Sequence, residues 1–140
     1  MNTRPDLRSW GVTLLRVVVG VIFVMHGWQK LSWGLDDVAN EVLAPAGIPL
    51  PKLAAVLLTI VELLGGIALI LGVFTRYVAT LLAIDMLVAL VLVHLKNGFF
   101  TPKGVEFPLL LLVSNINLLL AGAGALSVSA FRKRNVQSTT

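Results

Sequence analysis

His26 and Lys30 stand four residues apart at the end of an apolar run, so a helix presents them on one face. Glu62 is the only ionisable group of a second run, Leu53–Val73, and lies near its middle. His94 ends a third run and Glu106 begins a fourth. Histidines and a carboxyl can donate and accept hydrogen bonds at the two oxygens of a quinone ring. They can also pass protons as it is reduced or oxidised. The same groups suit zinc, iron or copper, and two level histidines on different helices could ligate a haem axially. Residue chemistry alone leaves these three open.

The elements that must position these groups are long and apolar. The chain has 140 residues, 57% hydrophobic and 13% charged, with mean hydropathy +0.92; soluble domains run near 25% charged. A helix crosses the hydrocarbon of a bilayer in about 20 residues at roughly 1.5 Å each. The sequence therefore predicts an all-α integral membrane protein, a bundle of four transmembrane helices over about 10–29, 53–73, 77–95 and 105–126. These form a single membrane domain, 10–127, between a cytoplasmic tail (1–9) and a basic polar tail (128–140). In the first outer loop, Leu35, Val38, Ala39, Val42 and Leu43 alternate with Asp36, Asp37, Asn40 and Glu41, the pattern of a short interfacial helix. Pro45, Pro49 and Pro51 then mark a stiff approach to the second span. The early apolar run resembles a signal peptide, but it is long and no small-x-small cleavage site follows, so it reads as a retained span.

Charge orients the chain. Arg4, Arg8, Arg76, Arg132, Lys133 and Arg134 fall on one side. Lys30, Lys52, Lys96 and Lys103 fall on the other, mixed with acids. The first side is expected to be cytoplasmic, with both termini inside a prokaryotic plasma (inner) membrane. No basic face with interleaved aromatics supports nucleic-acid binding. The absence of cysteine excludes disulfides, Cys-ligated iron–sulfur clusters and thiol redox chemistry.

Depth and phase refine the map. Arg16, Asp85 and Asn117 fall roughly 10–14 Å from the cytoplasmic edge, Asn115 and Glu62 roughly 16–18 Å, and His26, Lys30, His94, Asn97 and Glu106 roughly 25–31 Å. Asp85 and His94 are nine apart, which in a regular α-helix points them to opposite sides. The expected site is an outer pocket with His26, Glu62 and His94 as catalytic groups and Lys30, Asn97 and Glu106 as substrate-binding groups. Arg16 and Asp85 form a structural ion pair beneath it, because a lone buried charge is costly. No metal site is assigned. The blander readings are interfacial histidines satisfied by water, snorkelling lysines, and a protonated Glu62 bonded to Asn115 or a carbonyl.

Over about residues 11–127 the chain resembles the DoxX family of membrane proteins. The matching pieces are LLRVVVGVIFVMHGWQKL (Leu14–Leu31), ELLGGIALILGVFTR (Glu62–Arg76), the segment ending VHLKNGFF (Val93–Phe100), and GVEFPLLLL (Gly104–Leu112). The family's typical positions fall on His26, Gly27, Lys30, Glu62, Gly65, Gly66, Thr75, Arg76, His94, Gly98 and Glu106. The resemblance implies a four-helix protein of the DoxD/DoxX group, which includes the quinone-reducing membrane subunit of thiosulfate:quinone oxidoreductases. Thiosulfate itself does not transfer, since the chain lacks cysteine and a large extramembrane domain. The expectation is a membrane subunit of a quinone-linked oxidoreductase system; whether the chain is itself an enzyme stays open, and if it is, it is an oxidoreductase with quinone as acceptor. Quinone is the expected ligand, with neither haem nor an iron–sulfur cluster. The expected partners are the lipid bilayer and soluble or membrane redox proteins, and a homo-oligomer is compatible. The alternative is a non-catalytic membrane partner or anchor, or a small-solute carrier, in a redox or stress-response complex.

Overall fold

The computed structural model describes residues 6–128. Arg4 and the basic tail from residue 129 onward, including Arg132, Lys133 and Arg134, lie outside the described residues. Helix α1 (Leu7–Trp33) is followed by a short α2 (Leu35–Asp37) that continues into a π-helical turn (Val38–Leu43). Next come α3 (Pro51–Leu71) and α4 (Thr75–Val88). The latter continues as a π-helical stretch (Ala89–His94) and a 3₁₀ turn (Leu95–Asn97), and α5 (Glu106–Ala121) ends the bundle. Three helices, Leu7–Trp33, Pro51–Leu71 and Thr75–Asn97, are long and apolar enough to cross a membrane, while α5 is apolar but shorter.

Local chemistry sets these boundaries. Asp6 caps α1, its carboxylate accepting from the Ser9 amide at 2.9 Å. Pro51 opens α3, where its missing N–H forfeits no helical bond. Gly72, at φ 70, closes α3 by donating back to the carbonyls of Ala68 and Leu69. Large apolar side chains such as Leu64, Leu81, Ile84, Val91 and Leu110 remain exposed along the long helices, an outer surface suited to lipid rather than water.

Helices α1 and α3 run antiparallel and touch through glycine. A Cβ added to Gly20 would lie 2.7 Å from the Gly66 carbonyl oxygen, and one added to Gly27 would strike Leu63. The absence of side chains lets the two backbones approach. Glu62 precedes Gly66 by one helical turn and so shares its face, which brings the carboxyl against Lys30. Between the helices Val19, Phe23, Leu69, Ala79, Leu82, Met86, Leu111 and Leu118 form the main core. Val38, Ala39, Leu43 and Ala55 form a smaller one beneath the first loop.

Arg16 corrects an expectation. It is buried at 2% exposure, yet it does not pair with Asp85. Its Nη1 donates to the Ala123 carbonyl at 2.6 Å, and its Nη2 to those of Leu126 at 2.6 Å and Ile70 at 3.4 Å. The last turn of α3 and the irregular segment after α5 leave carbonyls without helical partners, and a guanidinium fork satisfies several at once. Helix α5 also ends at Ala121 rather than near residue 126, because Gly122 and Gly124 adopt positive φ. The chain then folds back over α1, with the amides of Ala125 and Leu126 donating to Thr13 Oγ1 at 2.9 and 3.3 Å. Replacing Arg16 with leucine should therefore lower the melting temperature in detergent. The effect of adding Asp85→Leu should equal that of Asp85→Leu in the wild type, since the two sites share no partner. A double variant clearly more stable than the two single effects sum to would restore the ion pair.

Candidate functional site

A cavity of about 340 Å³ lies between the α1–α3 pair and the α4–α5 pair, at the end of the bundle that carries Lys30. Phe23, Leu58, Met86, Val93, Phe107, Pro108 and Leu111 supply apolar wall; Val42, Leu43 and Ile48 reach it from the first loop, and Thr101, Pro102 and Gly104 from the loop before α5. Five ionisable side chains line it: His26 and Lys30 from α1, Glu62 from α3, Asp85 from α4, and His94 from the π-helical stretch.

The strongest polar contact is between Lys30 and Glu62, Nζ to Oε2 at 2.5 Å. Glu62 is 3% exposed and Lys30 20%. Glu62 therefore has a lysine partner, not the Asn115 or carbonyl partner of the blander reading. Asn115 is buried on α5 and donates instead to the Leu111 carbonyl at 2.9 Å. His26 lies against Phe107 with ring centroids 5.6 Å apart. His94 Nδ1 is 2.7 Å from the Lys103 carbonyl oxygen. A carbonyl only accepts, so this contact puts the hydrogen on Nδ1 and leaves Nε2 of the neutral ring as an acceptor.

Two expected members stand outside the cavity wall. Asn97 Nδ2 donates to the carbonyls of Val93 and Lys103, at 3.1 and 3.3 Å. Glu106 Oε1 accepts from the Thr101 amide at 2.7 Å. Both are turned into the loop between α4 and α5, which they hold over the cavity. These atoms are spent on the turn's own donors and acceptors rather than on Glu62. Asn117 is exposed.

Asp85 is the member that regular phase missed. Nine residues of α-helix would set it opposite His94, yet both line the cavity. The reason is the π-helical stretch Ala89–His94. Its i→i+5 bonding fits more residues into each turn, so His94 lags its α-helical phase and swings round to the Asp85 side. Nothing in ALVLVH marks this in the sequence.

The fold and the site together define a helical membrane protein with a half-buried polar cavity at one end of its bundle. The chain belongs to the DoxX family, whose model matches residues 11–95. It is 35% identical over 121 residues to CatD of Bacillus subtilis, provisionally named an oxidoreductase, covering 86% of each chain. It is 31% identical over 136 residues to an uncharacterized protein of Haemophilus influenzae, covering 89% of this chain and 92% of that one. Against the inner membrane protein YphA of Escherichia coli it is 31% identical over 121 residues, covering 82% and 85%. No solved structure matches the chain.

Proposed function

We propose that the chain is the membrane subunit of a quinone-linked oxidoreductase system and that the cavity holds the quinone head group. The carrying observation is one cavity of about 340 Å³ whose apolar wall surrounds a Lys30–Glu62 pair and two histidines. Its size falls in the range of small-molecule sites, about 300–1,000 Å³. Flat apolar walls suit a ring, and the few polar groups suit its oxygens. His26 and His94 exchange protons with the ring oxygens, and Glu62, fixed by Lys30, holds or relays a proton from below. Asn97 and Glu106 act through the loop that covers the site. The name of the Bacillus relative supports an oxidoreductase role.

In this reading α5 and the turn after it complete a fourth span, and the Leu35–Leu43 segment lies in the outer interface. Both termini are cytoplasmic, following the sequence's cation bias of Arg4, Arg8, Arg76, Arg132, Lys133 and Arg134 on one side against Lys30, Lys52, Lys96 and Lys103 on the other. Electrons are exchanged with a soluble or membrane redox partner.

Calorimetric titration of the protein in lipid nanodiscs with a short-tailed benzoquinone tests the reading. Saturable binding is expected, weakened about tenfold by His26→Ala/His94→Ala through the loss of hydrogen bonds. Absence of binding, together with retention of a soluble enzyme that does not depend on His26 or Glu62, would replace it with the anchor reading.

A further inference from the structure

The cavity contains two carboxyls in unlike surroundings. Glu62 is clasped by Lys30. Asp85 is half-buried, its Oδ2 is sealed from solvent, and no described residue donates a hydrogen bond to that oxygen. The ion pairs among the described residues are Lys30–Glu62 and Lys52–Asp36, so no described cation is in contact with Asp85. Arg16, the other buried cation, is engaged by carbonyls at the opposite end. Of the remaining groups around the cavity, His94 commits Nδ1 to the Lys103 carbonyl and His26 lies on Phe107. The first loop and α5 contribute apolar wall and no charge.

An ionised Asp85 would stand without an ion-pair contact from any described residue on an apolar wall that already carries the Glu62 carboxylate. Removing a charge from water without a partner is more costly than keeping its proton. Where two carboxyls share a site and only one has a cation, their surroundings separate them into an acid and an anion. A neutral carboxylic acid has one O–H to donate, and the groups lining the cavity leave that donor unused.

We propose that Asp85 is a neutral acid whose O–H, carried on the oxygen other than the sealed Oδ2, donates to a carbonyl oxygen of the ligand, while Glu62 at rest is the ionised partner of Lys30. Asp85 is then a specificity residue for the carbonyl-bearing, oxidised form of a ring ligand. Lys30, with N–H groups left over from its pair, adds a second donor from the facing helix. A hydroxyl of the reduced form can still accept, but it adds an O–H that the Lys30 ammonium cannot accept, so that form binds less well. This inference rests on the quinone reading of the same cavity.

The test is infrared difference spectroscopy of the full chain in nanodiscs, wild type against Asp85→Asn. At neutral pH the ligand-free protein should show a protonated-carboxyl stretching band that Asp85→Asn removes. A short-tailed benzoquinone should shift that band to lower frequency. In parallel calorimetry, Asp85→Asn, whose amide still donates, should keep the quinone affinity, while Asp85→Leu should lose about fivefold to tenfold. No band attributable to Asp85, or a band that bound quinone leaves unmoved, overturns the proposal. Equal loss in Asn and Leu variants also overturns it, since that is the signature of a needed negative charge. Wild-type protein that binds no quinone removes both this proposal and the reading beneath it. Binding without the shift removes this one alone.

Discussion

Lys30→Leu should destabilise the protein by about 3–5 kcal/mol, the range found when one partner of a buried ion pair is removed. The loss is that large because Glu62 is 3% exposed and its one cationic contact among the described residues is Lys30. Lysine and leucine cover similar apolar surface, so the packing of the α1 face changes little and the cost falls on the stranded carboxylate. Two desolvated charges are replaced by none in Lys30→Leu/Glu62→Leu, and that variant should recover most of the deficit. Thermal unfolding of the purified protein in one detergent at one pH separates the three proteins. A Lys30→Leu protein as stable as wild type would mean that Glu62 does not depend on the lysine.

The second large effect is expected at Gly66. A Cβ there would meet the Gly20 carbonyl oxygen at 2.6 Å and the Val24 amide nitrogen at 2.8 Å. Both are backbone atoms of α1 and cannot rotate aside, so Gly66→Val must push the two helices apart. Overpacking of this kind costs typically about 1–3 kcal/mol, and a backbone obstacle places this case at the upper end. Gly65→Ala is the control one residue away. Its Cβ would meet only the Leu82 side chain, at 3.3 Å or more, and the change should be nearly neutral. Equal melting temperatures for Gly66→Val and Gly65→Ala would remove the close-approach account of the α1–α3 interface.

The sequence made some of this geometry legible and hid the rest for identifiable reasons. His26 and Lys30 could be placed together because i and i+4 share a face wherever a helix is regular. Glu62 could be set on a helix-facing side because glycines follow it at helical offsets. The apolar runs marked the long helices, with ends a few residues out where caps such as Asp6 and Gly72 decide the boundary. Regular phase sets Asp85 and His94 on opposite sides because a π-helical stretch between them changes phase without any distinctive residue type. Arg16 was misassigned because its true partners are backbone carbonyls, which every residue has and which spacing cannot single out. Glu106 and Asn97 were placed at the correct end of the bundle, but turn hydrogen bonds, invisible to depth arguments, claimed their side chains.

The packing below the cavity bears on energy conversion. Val19, Leu69, Ala79, Leu82 and Leu118 are almost wholly buried there, and Arg16 is bound among carbonyls beyond them. That packing closes the cavity on the Arg16 side. In the proposed quinone reading, a proton that reaches Glu62 or Asp85 therefore arrives from the Lys30 end and leaves by it, crossing part of the membrane's electric field and returning across the same part. A full charge crossing is worth about 2.3 kcal/mol per 100 mV; a round trip through one mouth is worth nothing. In that reading proton exchange at the site is electrically silent, and any contribution to the transmembrane potential comes from the direction in which a redox partner would deliver electrons.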